Sequence, residues 1–93
     1  MSAMKGMGPA TLLGAEGHAV SFQGEFLVVV VSRAFAPGTP FTGGIAIDGV
    51  SIQIEGRATG SKRTPEGMFE VRARLINLRK ADRELLEAAS RRA

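Results

Sequence analysis

The sequence predicts a mainly β domain: a small antiparallel β-barrel of five to six strands with one C-terminal α-helix. Three observations lead there. Phe26-Leu27-Val28-Val29-Val30-Val31 is an unbroken apolar run rich in β-branched residues, which are stiff at the first side-chain torsion and pack well on a pleated surface. Short stretches of alternating polarity, separated by Gly, Pro and Asp-Gly signals, fill most of the remaining chain. Only residues 79–91 carry a helical period.

The apolar run organises the rest. Alternate side chains of a strand point to opposite faces, so this strand has no face left for water. One face must fill a core; the other needs a helix, a second sheet or a partner. Six residues are far short of the about 20 that span a membrane, and a buried helix is usually longer as well.

Length and composition narrow the field. Ninety-three residues make a single small domain with one core. There is no Cys and one His, which excludes disulfides, thiolate chemistry and a His-rich metal site. The net charge of +3 is uneven. Residues 1–52 hold two bases, Lys5 and Arg33, against three acids, whereas residues 53–93 hold ten bases against six acids. That bias suits an anionic ligand but is not the dense basic stripe of a nucleic-acid binder. No apolar segment follows Lys5 to make a secretory signal, so the expected location is cytoplasmic.

In chain order, residues 1–9 (MSAMKGMGP) lack periodicity and are expected to be a flexible tail, with residues 10–93 forming the domain. Ala10–Leu13 opens the first strand and Gly14-Ala15-Glu16-Gly17 is a turn. His18–Phe22 follows, with His18, Val20 and Phe22 on one face and Ala19 and Ser21 on the other. Gln23-Gly24 bends into the valine strand. Ala36-Pro37-Gly38-Thr39-Pro40 is a turn in which Pro37 presets φ and Gly38 supplies a positive φ, as a type II turn requires. Phe41–Ile47 is a strand whose Gly43-Gly44 pair suggests a bulge or sharp bend. Asp48-Gly49 is the strongest hairpin signal in the chain. Val50, Ile52 and Ile54 alternate with Ser51, Gln53 and Glu55, and the strand extends through Gly56 to Ala58. Residues 60–67 (GSKRTPEG) form a polar loop, and Met68–Ile76 is the last strand, with Phe69, Val71, Ala73 and Leu75 inward. Asn77 is the expected N-cap of the helix. Its apolar stripe is Leu78, Ala81, Leu85, Ala88 and Ala89, with Leu86 at the edge. Lys80–Glu84, Arg83–Glu87 and Glu87–Arg91 are spaced for four-apart ion pairs.

Taken in this order, the signals resemble a PilZ domain, the small β-barrel receptor of bacterial cyclic di-GMP. The resemblance spans roughly residues 17–92. It rests on Phe35-Ala36-Pro37-Gly38-Thr39-Pro40, Ile52-Gln53-Ile54-Glu55-Gly56-Arg57-Ala58, Gly67-Met68-Phe69-Glu70-Val71-Arg72 and Leu78 to Leu86. In that family an Arg-x-x-x-Arg segment before the first strand and an Asp/Asn-x-Ser-x-x-Gly segment at a strand end hold the nucleotide. The guanidinium fork suits phosphate and the acceptor edge of guanine. This chain has no Arg before Ala10, and the second motif survives only as Ala19-Val20-Ser21-Phe22-Gln23-Gly24, with Ala19 where the acceptor should stand. Losing two charge-assisted contacts, each about 1.5–3 kcal/mol, removes the standard binding mode.

Two readings follow. The resemblance implies a non-enzymatic adaptor of bacterial motility or cyclic di-GMP-related signalling that binds another protein, or itself as a homodimer. Its partner surface would be Phe26, Val28, Val30, Phe41, Arg72 and Arg74. The alternative is a receptor for cyclic di-GMP or another anion through Ser21, Gly24, Arg33, Arg57, Lys62 and Arg63. The first predicts an exposed apolar patch; the second predicts that these bases converge. Neither calls for a cofactor, a metal, nucleic acid or a membrane span. His18 has no nucleophile or acid near it in sequence and reads as a strand residue; no constellation suggests catalysis.

Overall fold

A computed structural model describes residues 6–92. Six strands, β1 (Gly8–Leu12), β2 (Ala15–Gln23), β3 (Phe26–Val31), β4 (Pro40–Ile47), β5 (Val50–Arg63) and β6 (Phe69–Leu75), precede one helix, α1 (Lys80–Arg92). The strands close into an antiparallel barrel in the order β1-β2-β3-β6-β5-β4, with β4 returning to β1. This is the expected fold.

Turn chemistry sets the hairpins. Asp48 and Gly49 both have positive φ, and Ile47 pairs Val50 across them, as in a type I′ turn. Pro37-Gly38 forms the expected type II turn: Gly38 has φ +87 and the Thr39 amide donates to the Ala36 carbonyl. The β5–β6 connection is shorter than the expected loop. β5 runs on to Arg63, and Thr64-Pro65-Glu66-Gly67 makes the reversal, with the Gly67 amide donating to Thr64 and Gly67 at φ +87. The β1–β2 turn is also tighter. Leu13-Gly14, both at positive φ, replaces the expected four-residue turn, and β2 begins at Ala15.

The core is the inside of the barrel plus one face of the helix. Leu27, Val29 and Val31 point in from β3, against Ala19 and Phe22 of β2 and Val71 and Ala73 of β6. β2 departs from the expected alternation because a bulge falls between Ala19 and Ser21. The extra residue, Val20, lets Ala19 and Phe22 share the inner face while His18 and Ser21 face out. Residues 6–9 belong to the barrel rather than to a tail: Met7 is buried, its amide donates to the Ala19 carbonyl, and β1 starts at Gly8. The rest of the expected tail, residues 1–5, lies outside the described residues.

Gly43 and Gly44 form no bulge; β4 keeps its register with β5 through both. Gly43 is instead where β1 closes on β4. A Cβ there would lie 2.0 Å from the Thr11 carbonyl oxygen.

The helix plugs one end of the barrel. Leu86 and Ala89 are buried in the core, with Leu78 and Leu85 packed beside them, while Ala81 is exposed. The apolar stripe is thus rotated from the expected one, and polar anchors explain the rotation. The Ser90 hydroxyl accepts from the Phe22 amide, and Arg83 donates to the Gly24 carbonyl. Residues 83, 86 and 90 fall on one helical face, so these bonds turn Leu86 inward. Asn77 is not the cap: it sits at φ +55, its side chain donates to Glu55, and the first helical hydrogen bond runs from the Arg83 amide to the Arg79 carbonyl. None of the three expected four-apart ion pairs closes among the described residues; Arg79–Asp82 and Arg92–Asp48 form instead. Arg92 ties the helix end to the β4–β5 turn at 3.0 Å.

Candidate binding surface

The helix packs on β2 and β4 and does not lie along β3. The outer face of the valine strand therefore lacks the cover that its composition calls for. Phe26, Val28 and Val30 face outward and are half-buried among the described residues.

Residues opposite one another in an antiparallel pair share a face, so the register assigns this surface row by row. Phe26 lies between Gln23 on β2 and Arg74 on β6, and Arg74 is opposite Arg57 on β5. Val28 lies between Ser21 and Arg72, and Arg72 is opposite Gly60. Val30 lies between His18 and Glu70, and Glu70 is opposite Lys62. An apolar stripe thus runs beside two strands that carry Arg57, Lys62, Arg72 and Arg74 against Glu70.

These bases are held differently. The Arg72 guanidinium lies over the Phe26 ring, 5.3 Å from its centroid, an attraction between a cation and the ring's negative face. Arg74 pairs with Glu25 at 3.0 Å. Arg57 donates to the Gly38 carbonyl at 3.0 Å, which turns it toward the Pro37-Gly38 turn. Lys62 and Arg72 border a depression of about 310 Å³ with Val28, Thr59, Gly60, Ser61 and Glu70. The depression exists because Gly60 leaves its outward position empty: a Cβ there would meet no atom within 4 Å. A second bulge, between Ala58 and Gly60, sets that position.

The expected anion ligands do not converge. Arg33 donates to the Leu13 carbonyl at 2.8 Å and lies 5.2 Å from the Phe35 ring centroid, at the opposite end of the barrel from the helix. Gly24 sits in the β2–β3 turn with its carbonyl taken by Arg83. Ser21 is on the outer face of β2, and Arg63 ends β5, opposite Phe69. Only Lys62 of that set lines the depression. Of the expected partner surface, Phe26, Val28, Val30, Arg72 and Arg74 do come together. Phe41 does not: it points into the core at 3% exposure, because the β4 register places it opposite Gly56 on the inner face. Thr59, Gly60 and Ser61 were missed as site residues; the sequence signal for them is Thr59-Gly60-Ser61 itself, small polar residues interrupting the alternation of β5.

Among the described residues, no three of His, Cys, Asp and Glu gather closely enough to hold a metal ion, and no helix is long and apolar enough to cross a membrane. The chain matches no protein-family model, no curated protein and no solved structure.

Proposed function

We propose that this chain is a non-enzymatic docking domain, a PilZ-like adaptor without the standard nucleotide motifs, whose β3–β6–β5 outer face binds an acidic segment of another protein. One observation carries the reading: the outer face of β3 is apolar, and α1 closes the barrel end instead of covering it. An apolar stripe flanked by cations favours a partner that brings carboxylates and an apolar anchor together. The setting, bacterial motility or cyclic di-GMP-related signalling, comes from the sequence resemblance alone.

The test is a peptide-display selection on the wild-type domain, followed by calorimetry on Val28→Asp and Arg72→Glu. Acidic peptides with an apolar anchor should be enriched, and each variant should weaken them tenfold or more, about 1.4 kcal/mol. Enriched peptides without acidic bias, or binding unchanged by both variants, would refute the reading. Titration with cyclic di-GMP at low salt addresses the receptor alternative, of whose expected residues only Lys62 lines the depression, beside Arg72.

A further inference from the structure

The barrel is closed, but not along its whole length. β5 is fourteen residues long and changes partner midway. Residues 50–57 pair with β4, while only 56–63 pair with β6. β6 ends at Leu75, the Ile76 amide donates to the Glu55 carbonyl, and the chain then turns away at Asn77. From Val50 to Ile54, β5 therefore has an edge with no strand beside it among the described residues.

The direction of the free groups follows from that last bond. In an antiparallel ladder the amide and carbonyl of alternate residues point to the same side. The Glu55 carbonyl points to the β6 side, so those of Gln53 and Ser51 do too. α1 packs chiefly on β2 and β4, and Arg92 bonds Asp48 at the turn that begins this hairpin arm. Val50 is 44% exposed although Ile47, its cross-strand partner on the same face, is 1% exposed. Ile76, where β6 stops, is 49% exposed.

Natural edges are blunted by Lys, Pro, a bulge or a covering element. Val50-Ser51-Ile52-Gln53-Ile54 has no charge and no Pro, and its register with β4 is unbroken. It is also self-complementary. Two copies aligned antiparallel about Ile52 place Ser51 opposite Gln53 at both ends of the joint, and each such pair exchanges two backbone hydrogen bonds. Val50 then meets Ile54 on the inner face, and no charged residue lies within the paired segment.

We infer that the open edge of β5, Val50–Ile54, pairs with the same edge of a second copy about a two-fold axis, joining two barrels through one short continuous sheet. A joint this small is weak and reversible. It is separate from the β3–β6–β5 face, so it does not depend on the docking reading above.

Sedimentation velocity from about 10 μM to about 1 mM reads the association, a range suited to a small interface. The wild type should move from monomer toward dimer, and the Ser51 and Gln53 amides should gain hydrogen-exchange protection with concentration. Gln53→Pro removes an edge amide without touching the β4 ladder and should remain monomeric. If that variant unfolds, the Ser51→Lys/Gln53→Lys double variant keeps every bond to β4 and sets like charges across the joint; it too should remain monomeric. A wild type that is monomeric at the top of the range, or a folded variant that dimerises as the wild type does, overturns the inference.

Discussion

Gly43 and Gly44 are neighbours in sequence, and their substitution should have unlike consequences. A Cβ on Gly43 would stand 2.0 Å from the Thr11 carbonyl oxygen, 3.0 Å from the Thr11 carbonyl carbon and 3.2 Å from the Leu12 Cα. All three atoms are backbone, so no side chain can swing aside. Relief requires β1 to withdraw from β4 by roughly 1 Å or more, given that carbon–oxygen contacts settle near 3–3.5 Å. That motion disrupts a ladder of only three residue pairs, Ala10–Ile45, Thr11–Gly44 and Leu12–Gly43. Overpacking costs about 1–3 kcal/mol and each lost backbone bond about 1 kcal/mol, so Gly43→Ala should destabilise the fold by about 3–4 kcal/mol. In a domain of this size that lowers the melting temperature by roughly 15–25 °C. A Cβ on Gly44 meets only the Ile52 carbonyl oxygen, at an ordinary 3.6 Å. Gly44→Ala should be neutral or stabilise by up to about 1 kcal/mol, because Ala restricts the unfolded chain. Thermal and urea unfolding of both variants decide the matter. Similar melting temperatures for the two, or a Gly43→Ala loss below about 1 kcal/mol, would refute the claim that Gly43 is the point where the barrel closes.

Two further substitutions probe the turn and the plug. Leu13 holds φ +47 at 44% exposure, a backbone conformation that costs a leucine about 1–2 kcal/mol. Leu13→Asn creates the favoured Asn-Gly type I′ pair and should raise the urea midpoint by an amount equivalent to about 1 kcal/mol; an unchanged or lower midpoint would show that the left-handed leucine carries no strain. Leu86 is fully buried where α1 enters the barrel end, so Leu86→Ala should cost about 2–5 kcal/mol and raise hydrogen exchange at the Phe22 end of β2. A smaller loss, with exchange in β2 unchanged, would mean that the helix does not seal that end.

The architecture was legible because its signals are local and redundant. The valine run, Asp48-Gly49 and Pro37-Gly38 each specify their element through chemistry confined to a few residues. What the sequence concealed was set by contacts between distant residues. Leu13 gives no hint of a left-handed turn, since the conformation is unfavourable to it and is imposed by closing β1 on both β2 and β4. Val20 reads as an inward strand residue until the bulge displaces it, and the bulge reflects the curvature of a closed sheet rather than any propensity. Asn77 has the composition of an N-cap but lies before the helix, held by Glu55. Five of the six residues expected on a partner surface lie together because the alternation of β3 and β6 fixes their outer faces. Phe41 was lost because alternation assigns two faces without saying which is inside. The anion set failed as a cluster because nothing local relates Arg33, Arg57 and Lys62; their guanidinium and ammonium groups are placed by turns and ladders formed far apart in the chain.

Closure makes the outer face of β3 the informative part of this molecule. A six-stranded barrel has room inside for one face of each strand, and Leu27, Val29 and Val31 already fill the share of β3. Folding therefore accounts for three of the six apolar residues. The other three sit among Ser21, His18, Glu70, Arg72 and Arg74, on a surface where the corresponding positions of β2 and β6 are polar. Among the described residues the remaining element that could shelter such a stripe is the terminal helix, and α1 is committed elsewhere, through Leu86 in the core, Ser90 on Phe22 and Arg92 on Asp48. Arg72 over Phe26 is a partial shield that a partner's carboxylate could displace or share, since the guanidinium keeps its charge and its donor fork while stacked. An apolar strand face left half-buried by the geometry of its own fold, beside cations from the adjoining strand, is the combination on which the docking proposal rests.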